Sequence, residues 1–381
     1  MTSIPSTNSH LHWPANLNDI GVTEETRELI DSLFTHLYSK IKDGEKVTAE
    51  FVKTDEKKRF FQIIDRSTKE VLEEYLVPLS LDIRLDDDRI FLISKNTIGK
   101  GQERTVKAVH DLRTGTPFVK KEINKENEFE IYQLIQSNPS TGLPQNFHFR
   151  RNGSEKLQVL EERLTGPLFE ALQKRIFRTD ALKLHAVKEL AQGLHTLHHF
   201  KLESNNPCFH ADLKIENILF DEKGNVQWTD FGYSGQVEKL VGSPGYQSPE
   251  LVAMIAKAFP EGHGTTCAVT AEEIATYYKK HGQPIDIWAF AIVILTILKN
   301  ADVHPLRAIA GALKRSESHP LFKDFEIQFL EQEELTAEIE AWRNRASQIE
   351  QALLDIAERM LQVDPDQRIN MDEVLELLSQ I

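Results

Sequence analysis

Leu29, Ile30, Leu33, Phe34, Leu37 and Ile41 recur at intervals of three and four residues, the spacing that gathers side chains on one face of a helix. Thr23 stands where an N-cap is needed and Glu24 and Glu25 fill the first turn, where the helix dipole favours negative charge, so a helix is predicted over 24–41. The runs VTAEFVKT (47–54), RFFQIID (59–65) and EEYLVPL (73–79) are short, rich in branched and aromatic residues and separated by polar turns, which predicts strands. From Arg89 a denser series follows, RIFLISK, TVKAVHD and PFVKKEI, joined by turns built on Gly99, Gly101 and Gly115 as in an antiparallel sheet. After Leu168 the apolar spacing turns helical almost to the end, in LKLHAVKELAQGLHTLHHF, IWAFAIVILTILK, MDEVLELL and a stretch over 335–361 that reads as one long helix. The pattern is that of a bilobal α+β chain: a small β-rich lobe (89–163), a mainly helical lobe (164–381) and an N-terminal α/β extension (1–88). The first 20 or so residues, rich in Ser, Asn and Pro, read as a flexible arm.

Composition narrows the function classes. The 381 residues are 40% hydrophobic and 27% charged, enough apolar side chain for a sizeable core. The net charge of -14 repels phosphate backbones and anionic lipid, so neither nucleic-acid binding nor membrane insertion is expected. The longest apolar run, Ile285 to Leu298, contains Asp286 and falls short of a bilayer span, and so reads as a buried helix. The N-terminus carries no basic stretch before an apolar core, and two cysteines are too few for a disulfide framework, so a cytoplasmic, reducing location is expected. His263, Cys267 and His281 match no common zinc spacing.

The chemistry gathers in two short segments. His210-Ala211-Asp212-Leu213-Lys214-Ile215-Glu216-Asn217 is followed by Asp230-Phe231-Gly232, and the stretch between them reads as two strands around a Lys223-Gly224-Asn225 turn. Such a hairpin brings Asn217 and Asp230 to one end, where an amide oxygen and a carboxylate make hard ligands suited to Mg²⁺ and a phosphate-bearing partner. Asp212 and Lys214, two apart on an extended loop, can point into one cleft, a carboxylate to accept a hydroxyl proton and an ammonium to steady a transferring phosphoryl group.

At these residues the sequence resembles the eukaryotic-type protein kinase family, over about 89–379. The resemblance implies the family's bilobal fold, ATP and Mg²⁺ as cofactors, and a serine or threonine hydroxyl of a protein substrate as acceptor. Ile98, Gly99, Gly101 and Val106 resemble the glycine-rich strand-turn-strand over the nucleotide phosphates. Val119 and Lys121 then share the face toward adenine and phosphates, with Glu128 (or Glu130) as the glutamate expected to pair with Lys121 on a helix that lacks its first turn. Leu160 resembles the residue guarding the back pocket, the backbone of Glu161 and Arg163 is expected to face adenine, and Leu219 with Val106 to sandwich the base. Asp212 is the expected base, oriented by Ser243 and Lys214; Asn217 and Asp230 are the expected metal ligands. Tyr132 and Phe231 resemble an internal apolar spine, and Arg368 is expected to pair with Glu250.

Departures from the family pattern carry expectations of their own. Arg104 replaces the third glycine of the phosphate loop, and Ala211 replaces the arginine that usually precedes the catalytic aspartate and receives an activation-loop phosphate. Activity without loop phosphorylation is therefore expected. Residues 251–285 form a longer connection than usual, and the Thr270-to-Glu273 capping box with Gly282 as a helix stop predicts one inserted helix. Two other classes stay open: a pseudokinase scaffold, and a small-molecule kinase of the aminoglycoside or choline type, which shares a His-x-Asp loop but not the Ser243–Glu250 segment. The extension is a candidate contact for a partner or for autoregulation.

Overall fold

The computed structural model describes residues 11–14, 22–53, 59–78, 83–86, 89–100, 105–123, 125–151, 157–260, 267–300, 305–306 and 331–381. The chain divides into two compact units, residues 1–123 with 146–163 and residues 124–145 with 164–381.

The first unit begins with helix α1 (Glu24–Lys42), capped by the Thr23 hydroxyl, which accepts the Thr26 N–H at 3.3 Å. Strands β1 (Val47–Lys53), β2 (Arg59–Asp65) and β3 (Val71–Val77) form an antiparallel sheet in the order β1-β2-β3. A second, six-stranded sheet follows, from β4 (Ile83–Asp86), β5 (Arg89–Lys100), β6 (Thr105–Asp111), β7 (Pro117–Glu122), β8 (Phe147–Arg151) and β9 (Leu157–Glu162), in the order β4-β5-β6-β7-β9-β8. The helix and both sheets share one core: Ile30, Leu33, Phe34 and Leu37 of α1 and Phe61 and Ile63 of β2 cluster with Ile90 and Leu92 of β5 and with Leu112. The extension is thus part of the body of this unit, and β4 supplies β5 with its outer neighbour.

The arm expected to be flexible is docked where it is described. The His12 N–H donates to Leu112 O at 2.7 Å, His110 Nε2 donates to His12 O at 3.0 Å, and Trp13 Nε1 donates to Asp31 Oδ1 at 2.8 Å. Leu11 and Trp13 pack against the shared core, so two apolar side chains and three hydrogen bonds offset the ordering entropy. Residues 1–10 and 15–21 lie outside the described residues.

The second unit contains α2 (Glu126–Ser137), α3 (Leu168–Gln173), α4 (Asp180–His198), α5 (Pro249–Ala258), α6 (Ala271–Lys299), α7 (Gln332–Arg343), α8 (Gln348–Met360) and α9 (Met371–Ser379). A small sheet of β10 (Gly166–Pro167), β11 (Ile218–Phe220) and β12 (Val226–Trp228) lies in the same unit. Two expectations fail here. The segment over 335–361 is two helices: Ser347 and Glu350 form a capping box that starts α8 afresh after α7 ends. The inserted helix is no separate element either, because α6 runs unbroken through Gly282 and Pro284. Gly282 serves packing: a Cβ there would meet the Phe209 ring at 2.4 Å, so glycine lets α6 approach and does not stop it. The whole of α6 is long enough and apolar enough to cross a membrane by length and composition, but 83% of its most apolar window is buried.

Candidate active site

The hairpin of β11 and β12 pairs Ile218 with Trp228, and the Thr229 N–H donates to Asn217 O at 2.9 Å. That pairing brings Asn217 and Asp230 to the same end, as the alternation of the two strands dictates. Asn217 is buried and its Nδ2 donates to Asp212 O at 2.9 Å and to Asp212 Oδ2 at 3.3 Å. Asp230 is exposed and left-handed, with φ 65° and ψ 66°, a region aspartate tolerates better than most residues.

Asp212 is held from both carboxylate oxygens. Ser243 Oγ donates to Oδ1 at 2.8 Å, Lys214 Nζ donates to Oδ2 at 2.7 Å, and Lys214 Nζ also donates to Ser243 Oγ at 2.7 Å. The three side chains close a triangle in which the carboxylate has little rotational freedom.

The loop beneath this triangle is anchored by Asp286, whose carboxylate accepts the N–H groups of His210 at 2.6 Å and Ala211 at 3.0 Å and the ring Nε2 of His198 at 3.0 Å. Ala211 has φ 71°, a left-handed conformation costing about 1–2 kcal/mol for a residue with a Cβ. The two N–H bonds to one buried carboxylate hold it there. His210 donates through Nε2 to Thr229 O at 3.1 Å, which leaves Nδ1 to accept the Asp212 N–H at 3.4 Å. The histidine therefore braces the two segments, as expected of a buried structural residue. Asp286 itself gave one signal in the sequence, a lone carboxylate in an apolar run, but its role as the loop's anchor was missed.

Phe231 and Tyr132 are fully buried and meet edge to face at 5.6 Å, so the internal spine is packed. Glu128 lies buried in the first turn of α2, which begins at Glu126, while Glu130 accepts the Glu203 N–H at 2.5 Å. Lys125 and Asn127, which sequence reasoning passed over, tie this helix to the segment after Asp230. Lys125 Nζ donates to Gly232 O at 2.8 Å and lies 3.9 Å from the Tyr233 ring centre; Asn127 Nδ2 donates to Ser234 O at 2.7 Å. Farther along, Arg368 forks onto Glu250 with contacts of 2.6 and 2.7 Å, the expected pair, and also donates to Pro284 O at 3.0 Å. Leu219 is half-buried on β11, opposite Pro167.

In the first unit, Lys107 pairs with Lys120 and Ala108 with Val119, so strand alternation puts Val106, Ala108, Val119 and Lys121 on one face. Ile98 and Gly99 lie in β5, Gly99 opposite Val106; Gly101 and Arg104 fall outside the described residues. Three residues sit differently from expectation. Leu160 pairs with Lys120 and is on the opposite face from Lys121, buried with Phe91, Ile93, Val109 and Phe118. The next residue, Glu161, takes Lys121's face, and its carboxylate accepts Lys121 Nζ at 2.7 Å. Glu161, expected to act through its backbone, thus contributes a side chain that is 1% exposed. The Arg163 backbone, expected to face adenine, spends its N–H on Pro117 O at 2.8 Å and extends the β7–β9 pairing.

The donor set fits a divalent cation: Asn217 spends its amide N–H on Asp212, which keeps its carbonyl oxygen as the acceptor of that side chain, and Asp230 offers an exposed carboxylate at the same hairpin end.

Comparison with known proteins agrees with this arrangement. The bovine (Bos taurus) phosphorylase b kinase gamma catalytic chain, liver/testis isoform, is 25% identical over 217 residues, 55% of this chain and 43% of that protein. CBL-interacting serine/threonine-protein kinase 17 of Arabidopsis thaliana is 27% identical over 220 residues, 53% of this chain and 44% of that protein. Serine/threonine-protein kinase PAK 1 of Mus musculus is 24% identical over 255 residues, 62% of this chain and 41% of that protein. The chain spans less than half the length of each of these relatives. The pattern that describes the protein kinase domain matches residues 92–377, about three quarters of the chain. With that match laid over the Asp212 loop and the Asp230 hairpin, the chain belongs to the protein kinase family.

Proposed function

We propose that this protein transfers the γ-phosphoryl group of ATP, with Mg²⁺, to serine or threonine hydroxyls of a protein substrate. The observation that carries the reading is the closed triangle of Asp212, Lys214 and Ser243, with all three contacts between 2.7 and 2.8 Å. Asp212, fixed at both oxygens, accepts the substrate hydroxyl's proton, and Lys214 offsets the charge that gathers on the transferring group. Asn217 and Asp230 would hold the Mg²⁺, which when bound neutralises phosphate charge. Lys121 is the residue proposed to anchor phosphates. The choice of serine and threonine rests on the Gly242–Tyr246 segment and on the names of the kinases that the chain resembles. Every group expected to act is present, which favours an enzyme over a silent scaffold.

Activity without loop phosphorylation belongs to the same reading. Where an arginine would await a phosphate there is Ala211, and its loop is held instead by Asp286; the segment after Asp230 is held by Lys125 and Asn127. These bonds need no added charge. Protein treated with a phosphatase and re-purified is expected to keep its transfer rate; a loss of tenfold or more would reject this mode of control.

The reading is tested by incubating the full chain with Mg²⁺ and γ-labelled ATP and a mixture of denatured proteins, beside a melting-temperature measurement with the same nucleotide. Label on Ser and Thr is the expected result. A nucleotide-dependent rise in melting temperature without any transfer would make the chain a pseudokinase.

A further inference from the structure

At the C-terminal end of α4 the sequence His195-Thr196-Leu197-His198-His199 places two imidazoles one turn apart, on the same side of the helix. Asp372, in the first turn of α9, comes up against both: His195 Nε2 lies 2.8 Å and His199 Nε2 3.7 Å from its Oδ1, and the two rings are 4.2 Å apart. All three ligand atoms fall within 4.8 Å of one another. Around a four-coordinate zinc with bonds of about 2.0–2.2 Å, neighbouring ligand atoms stand roughly 3.3–3.5 Å apart, a spacing that the two measured carboxylate contacts straddle.

Tautomer state is a second and independent observation. His199 Nδ1 lies 2.9 Å from the His195 carbonyl oxygen. A carbonyl can only accept, so Nδ1 carries a proton, and Nε2 is the ring nitrogen on the Asp372 side that a metal would take. That is the arrangement in which metal-binding histidines are usually held, one ring nitrogen spent on a backbone oxygen and the other left for the ion. Asp372 and His199 also line a cavity of about 410 Å³ that reaches His198, Lys280 and Arg368, so there is room for a further ligand on the open side.

We propose that His195, His199 and Asp372 form a zinc-binding site that clips α4 to α9, with a water or an incoming donor in the fourth position. Two imidazoles and one carboxylate suit Zn²⁺ over Mg²⁺ or Ca²⁺, which take oxygen ligands. Zinc binding needs the ligating nitrogens and the carboxylate free of protons, and any proton on them leaves for solvent. The site lies apart from Asn217 and Asp230 in the sequence and draws on none of the residues in the proposed reaction.

Binding is tested on the full chain, stripped with a chelator and titrated with Co²⁺ and then Zn²⁺. The expected result is one saturable site per chain, with the visible absorption of four-coordinate Co²⁺ bleached by Zn²⁺, and a melting temperature that rises with Zn²⁺. His199→Ala and Asp372→Asn should each weaken Zn²⁺ at least tenfold in calorimetry; both side chains are more than half exposed, at 56% and 66%, so the variants are expected to fold. Cys267→Ser should leave binding unchanged. No saturable binding, or binding that persists in His199→Ala and Asp372→Asn, would overturn the proposal.

Discussion

Glu161 shows how much one position in a strand decides. Alternation gave Val119 and Lys121 a common face, and the structure has them on one face; the same rule applied to β9 excludes Leu160 from that face and puts Glu161 on it. The sequence alone could not reveal this, because the faces of two strands are matched only once their register is known, and nothing local sets the register of β9 on β7. The Lys121–Glu161 contact is a nearly desolvated ion pair, so breaking it from one side should be costly. Glu161→Gln is expected to lower stability by about 3 kcal/mol in urea unfolding. It should also raise the KM for ATP, with partial recovery in Glu161→Asp. An unchanged midpoint and KM would show that Lys121 is positioned by other contacts.

Elements were legible where a periodic pattern met a capping residue. The helix 24–41 and its Thr23 cap, and the three short strands after it, emerge within a residue or two of expectation. Boundaries failed where tertiary packing overrode a local signal: Gly282 reads as a stop until Phe209 is seen against it, and the α7–α8 break was hidden in a run of charged residues although Ser347 and Glu350 mark it.

The junction of α1 with β3 was not legible at all. Glu73 accepts Lys40 Nζ at 2.7 Å and His36 Nε2 at 2.9 Å, and the Tyr75 hydroxyl donates to it as well. The Lys40 and Tyr75 hydrogen bonds hold its carboxyl at about 2, below the ordinary 4.5. A carboxyl whose pKa is depressed on folding stabilises the fold above its unfolded pKa and loses that contribution as pH falls toward the folded value. The stability gap between wild type and Glu73→Gln should therefore be constant above about pH 5 and narrow as pH falls from about 4.5 toward 2. A gap independent of pH across that window would contradict the assignment.

For the whole molecule, the motifs of the second unit were readable because they lie in short ordered segments, and the Asp212 loop, the hairpin to Asp230 and the Glu250–Arg368 pair all appear with their expected neighbours. The extension was readable only as secondary structure. Its role in the core depends on Ile90, Leu92 and Leu112, which are 3%, 1% and 0% exposed because α1 and the first sheet pack over them. A chain starting at residue 89 uncovers these side chains and deprives β5 of β4, leaving an open edge and an apolar patch that favour association. It is expected to aggregate or to melt well below the full chain; a monomer with an unchanged melting temperature would show that the extension is a separable module.

The central claim is that Asp212 serves transfer and not nucleotide binding. The most direct measurement compares wild type with Asp212→Asn in γ-phosphoryl transfer and in Mg²⁺-ATP affinity, the variant preserving shape and the bonds from Lys214 and Ser243 in part. Removal of a general base typically costs about 10²–10⁴-fold in turnover, so that loss is predicted with affinity changed by no more than about threefold. Transfer at the wild-type rate in the variant would contradict the account.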